Sequence, residues 1–322
     1  FVFGAGRGAV ENPCDDPDAD FHTYVKETEV TISGTALIMA SVYGGGENGR
    51  VRGNTKVKIE GGQIGCGVGQ IENGKPKRYT DGQFIDPANP NTPVTETNAL
   101  AGCATWDYGA GLPYDPLADK LYTDGTSVTD ASTTGSDGHT YYGSVFGGGS
   151  GYYPYESTDG TKHDWLESAG LVEGDTEVEI TGGHILTSVY GGNELTNVGG
   201  TCKVTMSGGT IGVPRTKTQI ENNPSIGNLF GAGKGDKRVH FNTWTNVKET
   251  IVNVTGGIVY GSVFGGGEDG HVLEDATTLI EEDKTNNKTI TIGSTGESGD
   301  DGNVFGGGRG SETALTAGVV GG

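Results

Sequence analysis

The sequence predicts an all-β fold: a parallel β-helix (β-solenoid) of about six coils of roughly 26 residues, interrupted by long loop insertions. Three observations predict it. Two short motifs alternate along the chain without exception, their spacing is constant wherever nothing intervenes, and glycine, at 61 of 322 residues, punctuates nearly every copy.

The first motif reads T-x-V-x-I-x-G-G-x-I. It occurs as TEVTISGTALI (28–38), TKVKIEGGQI (55–64), TEVEITGGHI (176–185), CKVTMSGGTI (202–211) and TIVNVTGGIV (250–259), with KTITIGSTG (288–296) as a weaker sixth copy. Alternation of β-branched with polar residues is the period-two signature of a strand with one buried face. Thr28, Thr55, Thr176 and Thr250 fall in phase with the Val and Ile positions and are expected to point inward, which argues against an outward threonine array of the ice-binding kind. The outward positions carry Glu29, Lys56, Lys58, Glu177, Glu179 and Lys203, with Lys248 just before the next copy, a mixture of signs.

The second motif is a small residue, Val or Leu, an aromatic, then glycines. It occurs as FVFGAGRG (1–8), SVYGGGENG (41–49), SVFGGGSG (144–151), SVYGGN (188–193), NLFGAGKG (228–235), SVFGGGEDG (262–270) and NVFGGGRG (303–310). This is a second short strand followed by a corner. Its aromatic column (Phe3, Tyr43, Phe146, Tyr190, Phe230, Phe264 and Phe305) must face away from the adjacent valines, either as an internal or loop-covered stack or as an external stripe that would serve a partner or sugar; the first is expected, since seven exposed rings would cost solubility. GGGENG (44–49) and GGGEDG (265–270) satisfy G-x-G-x-x-G, but a dinucleotide site needs one such loop opening a helix. Here the loop recurs in every coil, so the repeat glycines Gly44, Gly61, Gly147, Gly182, Gly191, Gly208, Gly231, Gly256, Gly265 and Gly306 are expected to give clearance and positive φ at corners.

The spacing defines the unit. Gly182 to Gly191 is 9 residues and Gly191 to Gly208 is 17, and Gly256 to Gly265 and Gly44 to Gly61 repeat those values. GRVRG (49–53) and DGHVL (269–273) suggest a third strand per coil. Longer intervals are insertions, at about 7–25, 66–142, 150–172, 212–226 and 236–247. Residues 1–322 therefore read as one domain, and because the chain opens and closes within a motif it is expected to be a fragment of a longer protein.

Composition restricts function. There are 42 acidic against 21 basic residues, a formal net charge of −21, so nucleic acid and anionic membrane surfaces would be repelled. No stretch approaches the roughly 18 apolar residues of a membrane span. Leu, Ile, Val and Phe make up only about a fifth of the chain, near the boundary of disorder, but their clustering into repeats overrules that reading. Cys14, Cys66, Cys103 and Cys202 have no C-x-x-C spacing, so zinc is not expected. Cys66 and Cys103 are read as flanking one long insertion and suit either a staple or buried thiols, whereas Cys202 aligns with the threonines as a packing residue.

The alternating GGxI and VYGGG/VFGGG units resemble the repeats of right-handed parallel β-helix regions in large secreted bacterial surface proteins and adhesins. That resemblance covers nearly the whole chain outside the insertions, and it implies an extracellular or cell-surface location and a structural or adhesive role.

Candidate binding residues lie in the insertions. Residues 66–142 contain Trp106 and Tyr108, and residues 150–172 contain Tyr152, Tyr153, Tyr155 and Trp165, which suit carbohydrate faces or a partner protein. Asp159, His163, Asp164 and Glu167 also fall together, though acids are common throughout. No organic cofactor is expected. Calcium is the one ion the pattern suggests, because GAGKGD (231–236) resembles calcium-binding G-x-G-x-D repeats; Asp236, Glu268 and Asp269 are its candidate ligands, weighed against plain solvated acids at loop tips. The competing function is a carbohydrate-active β-helix enzyme, a polysaccharide lyase or glycosidase, which would need a focused set of acids or bases on a strand face.

Overall fold

The computed structural model is all-β with almost no helix. It describes residues 1–8, 24–38, 40–65, 143–151, 168–214, 226–235, 245–294, 301–310 and 317–321, with a few isolated positions and backbone strand segments elsewhere. Two parallel sheets dominate. One has seven two-residue strands, in chain order: Val2–Phe3, Val42–Tyr43, Val145–Phe146, Val189–Tyr190, Leu229–Phe230, Val263–Phe264 and Val304–Phe305. Each pairs in register with the next, valine (or leucine) on valine and ring on ring.

The other sheet collects the T-x-V-x-I and G-x-I segments. Thr28–Ile32 pairs with Thr55–Ile59, which pairs with Thr176–Ile180, and the ladder continues through Val198–Ile211 and Asn246–Val259. The sixth strand departs from expectation. Ala276–Ile280, not the segment at 288–292, pairs with Thr250–Val254, while Ile290–Ile292 pairs with Gly257–Val259. ATTLI keeps the alternation but replaces Thr and Val by Ala276 and Thr278, so the motif goes unseen in the sequence. A third column is a run of single valines, Val25, Val51, Val172 and Val198, joined by isolated parallel bridges, with Val272 bridged to Val320. It includes the valines of GRVRG and DGHVL.

Three apolar clusters follow from these columns. Val57, Ile59, Val178, Ile180, Val204 and Met206 meet Val145, Val189 and Leu229 in the main core, all inaccessible to solvent. The single valines pack with Cys202 and Ala232 in a second cluster, and the aromatic rings form a third. At about 1.5–3 kcal/mol for each fully buried Val or Ile, few residues suffice because each is buried so completely.

The inward threonines have a specific task. Thr28, Thr55, Thr176 and Thr250 each donate a hydroxyl hydrogen bond of 2.6 Å to the first glycine carbonyl of a corner, respectively Gly44, Gly147, Gly191 and Gly265. Those glycines are bare because the repeats approach through them: a Cβ on Gly44 would overlap the Gly147 carbonyl oxygen, one on Gly147 that of Gly191, and one on Gly191 that of Gly231. Their φ values are ordinary, so this column needs clearance only, and the positive φ expected of it belongs to other glycines. The small residue before each valine also has a use. Ser144 N, Asn228 N, Ser262 N and Asn303 N donate to the side-chain oxygens of Ser41, Ser188, Asn228 and Ser262 one repeat earlier.

Positive φ concentrates where segments leave and rejoin the stack. Gly65 (95°) and Gly143 (100°) bracket residues 66–142, and a Cβ on Gly65 would stand 2.9 Å from Gly143 Cα. Gly212 (79°) and Gly227 (84°) meet in the same way, at 2.6 Å, as do Gly293 (104°) and Gly302 (75°), at 2.8 Å. These three pairs share one corner, between the G-x-I and Val-aromatic strands. At the corner after the aromatic strand, Gly151 (89°) meets Gly170 (70°), and Gly310 (66°) meets Gly318 (65°).

Candidate functional site: two charge ladders and an aromatic stack

On the two-residue strands the valine faces the main core and the ring faces away from it. Rings of Phe3, Tyr43, Phe146, Tyr190, Phe230, Phe264 and Phe305 stack with centroids 4.7–5.1 Å apart and planes within 16° of parallel. From Tyr43 to Phe264 the column is buried, so the row is consumed internally. Only its ends reach solvent, with Phe1 stacked beyond Phe3 and Phe305 45% exposed.

A line of polar residues runs beside the rings. Four positions after each aromatic the chain carries, in order, Arg7, Glu47, Ser150, Glu194, Lys234, Glu268 and Arg309. No two neighbours in this order share a sign. Arg7 Nε lies 3.1 Å from Glu47, Ser150 Oγ donates to Glu194 at 3.1 Å, Lys234 Nζ lies 3.7 Å from Glu194, and Arg309 Nη1 donates to Glu268 at 2.8 Å. The two tyrosines complete it. Tyr43 OH donates to Glu194 and Tyr190 OH to Glu268, both at 2.6 Å. Burial, reinforced by the Glu268 charge, holds the Tyr190 phenol well above its ordinary range, and burial raises the Glu47 carboxyl against the pull of Arg7.

A second ladder lies on the outer face of the long sheet. Register places Glu29, Lys56, Glu177 and Lys203 side by side, again alternating in sign. Lys56 Nζ reaches Glu177 at 2.8 Å and Glu179 at 3.3 Å, Lys203 reaches Glu177 at 3.1 Å, and Lys58 reaches Glu29 at 2.5 Å. The hydrogen bond to Glu177 raises the Lys56 amine, and the bond from Lys56 lowers the Glu177 carboxyl. An open groove of about 470 Å³ runs along this face, lined among others by Glu27, Asn54, Lys56, Asp175, Glu177 and Lys203.

Asn193 breaks the glycine pattern of SVYGGN and was not singled out by the sequence reading. It is fully buried. Its Oδ1 accepts from Gly149 N at 2.8 Å, and its Nδ2 donates to Gly170 O at 3.2 Å and Asn197 O at 2.7 Å. One side chain thus ties the chain entering the 150–172 insertion to the chain leaving it.

Of the expected binding residues, Trp106, Tyr108, Tyr152, Tyr153 and Trp165 lie outside the described residues, as do Asp159, Asp164, Glu167 and Asp236, and Cys14, Cys66 and Cys103. Tyr155 belongs to a strand whose backbone pairs antiparallel with His163 on one side and Leu121 on the other, so the two largest insertions share a small sheet. Of the calcium candidates Asp236, Glu268 and Asp269, Asp236 lies outside the described residues. Glu268 is not a solvated loop-tip acid: it is buried and holds Tyr190 and Arg309, which leaves its carboxylate engaged. Among the described residues no group of three His, Cys, Asp or Glu is arranged to hold a metal. Cys202 is a buried free thiol, its pKa pushed up to about 12 by burial, in register with Thr176 and Thr250.

Comparison of the chain with protein-family models, with curated proteins and with solved structures gives no match. Among the described residues no helix is long and apolar enough to cross a membrane.

Proposed function

We propose that the chain is a β-solenoid segment of an exported bacterial cell-surface protein, non-catalytic in its stack and adhesive through its aromatic-rich insertions. The observation that carries this reading is the in-register stacking of seven equivalent strands, one from each repeat, across insertions of very different length. The stack is occupied with itself: its rings are buried against each other and its outer acids and lysines neutralise each other. That leaves the insertions, gathered at two corners by paired glycines and Asn193, as the surface available to a glycan or a partner protein. Calcium would act, on this reading, at the loops around Asp236 and Asp269.

The test is a glycan array and a host-matrix panel probed with the intact chain. Binding should fall at least tenfold when Trp106, Tyr108, Tyr152, Tyr153, Tyr155 and Trp165 are replaced by Ala, with the stack unchanged by circular dichroism. Undiminished binding by that variant would sink the reading.

The second reading, a polysaccharide lyase or glycosidase, is favoured by the groove along Glu27, Lys56 and Asp175. The same ion pairs weigh against it, since they move Lys56 away from a base and Glu177 away from an acid near neutral pH. Release of unsaturated or reducing-end sugars by the chain, lost in Lys56→Ala or Glu177→Gln, would establish it.

A further inference from the structure

We infer that the outer face of the T-x-V-x-I strands is a self-docking surface: a second copy of this chain lies on it face to face, strands running the same way and repeats stacked in the opposite order. Charge complementarity carries the inference. Two outward rows cross the repeats in register. The first reads Glu29, Lys56, Glu177, Lys203 and the second Thr31, Lys58, Glu179, Thr205. After pairing with one another, their charged side chains are still 28–55% exposed.

The second copy is placed by a two-fold axis that runs along the strands, between the Lys56 and Glu177 repeats. Glu29 then faces Lys203 of the second copy, Lys56 faces Glu177, Lys58 faces Glu179, and Thr31 meets Thr205. Each of these contacts occurs twice, and every charged one joins opposite signs. The preceding row adds no conflict, since Glu27 falls opposite Thr201 and Asn54 opposite Asp175. A two-fold along the stack would instead set Lys56 on Lys58 and Glu177 on Glu179. Sliding the copy by one repeat would set Lys56 on Lys56 or Glu177 on Glu177. The charges of the second row, Lys58 and Glu179, are bracketed by Thr31 and Thr205, so the register does not depend on the terminal repeats.

Alternation also determines what this face rejects. A partner of one sign meets like charges as often as opposite ones, whereas a reversed copy of the same ladder meets none. The open groove of about 470 Å³ along the face gives the partner's side chains room to interdigitate. Both long insertions leave the stack at the G-x-I and aromatic corners, not from these strands. Repeats spaced ~4.8 Å apart, each offering one five-residue strand, make a face well below the roughly 800 Å² that each partner buries in a stable complex. The pairing therefore belongs to the weak, salt-sensitive class.

Sedimentation velocity of the intact chain at about 100 μM tests it. In about 0.15 M salt the −21 net charge of each copy is screened beyond roughly 8 Å while ion pairs across the face are not, and a dimer is expected. In about 1 M salt these pairs are screened too, and self-affinity should fall about tenfold or more. Lys58→Glu and Glu179→Lys, each checked by circular dichroism and melting temperature, set like charges across the axis and should each lower self-affinity about tenfold or more. Mixed together the two variants should form a heterodimer, because one then offers only acids and the other only lysines at these two positions. A wild type that stays monomeric at the lower salt, a dimer indifferent to salt, variants that dimerise as the wild type does, or variants that do not recover on mixing would each overturn the inference.

Discussion

Tyr43 and Glu194 stand 151 residues apart in sequence and are joined by a buried hydrogen bond of 2.6 Å. Their repeats are not neighbours: the Phe146 repeat lies between them in the stack. The bond therefore clasps three repeats and spans both long insertions at 66–142 and 150–172. Tyr43→Phe keeps the stacked ring and removes the clasp, while Glu194 keeps Ser150 and Lys234. A loss of about 1–2 kcal/mol is expected, read as a lower urea midpoint at constant slope.

The glycine column gives a contrast within one motif. Gly191→Ala forces a methyl into the Gly231 carbonyl oxygen, backbone against backbone, with no side chain to yield. It should cost more than about 3 kcal/mol or abolish folding. Gly306→Ala has open space around it and should change the melting temperature by about a degree or less. Similar effects at both positions would show that stacking clearance is not the reason for these glycines.

Asn193→Gly restores the pattern of the other repeats and leaves the backbone free to stack. It also unties Gly149 from Gly170. The seven-strand sheet should survive, at a cost of about 1–3 kcal/mol, and limited proteolysis should cut within 152–167 several-fold faster.

Two glutamates should titrate in opposite senses. The Glu177 carboxyl is lowered from 4.5 chiefly by the Lys56 hydrogen bond, so it stabilises the fold above that value and stops doing so as pH falls through its lowered pKa. Glu177→Gln should flatten the acid limb of the stability curve below pH 4.5, modestly, because the pair is largely solvated and screened. Burial raises Glu47 from 4.5, so its folded form favours the proton and stability is lost as pH rises through 4.5 to its raised pKa. Glu47→Gln should gain on the wild type across that same interval and then level off. Urea midpoints between about pH 3 and about pH 7 would show both.

Cys202 stands in the threonine column, so Cys202→Thr should be tolerated within about 0.5 kcal/mol, and Cys202→Asp should not fold. Thermal melts of the two variants would check this.

Much of the fold was legible because its causes are periodic. The inward Thr, Val and Ile positions, the third valine column and the buried ring stack all follow from motif phase. Both charge ladders were equally available in the sequence, as the second residue of T-x-V-x-I and the fourth after the aromatic, but reading each copy alone makes them look scattered. Alignment of the copies turns scatter into alternation. The sixth strand at Ala276–Ile280 escaped notice because Thr278 and Ala276 replace the marker residues while keeping the side-chain parity that pairing requires. Asn193 was missed for the opposite reason: a single departure from a repeat carries no period, and only the proximity of Gly149 and Gly170 reveals its use. Glu268 reads as a loop-tip acid because glycines flank it, and only its bond from Tyr190, two repeats earlier, shows that it is buried.

The paired glycines make departures from the stack thermodynamically inexpensive. Where two chain ends already touch, as at Gly65 and Gly143, lengthening the excursion between them changes only loop-closure entropy, about 0.6 kcal/mol per doubling. Such a junction behaves as a socket whose cargo can be exchanged without retuning the scaffold. Grafting a foreign domain with adjacent termini between Gly212 and Gly227 would leave every strand register where it is, and the same tolerance would let a lineage diversify its outer surface while its interior stays fixed.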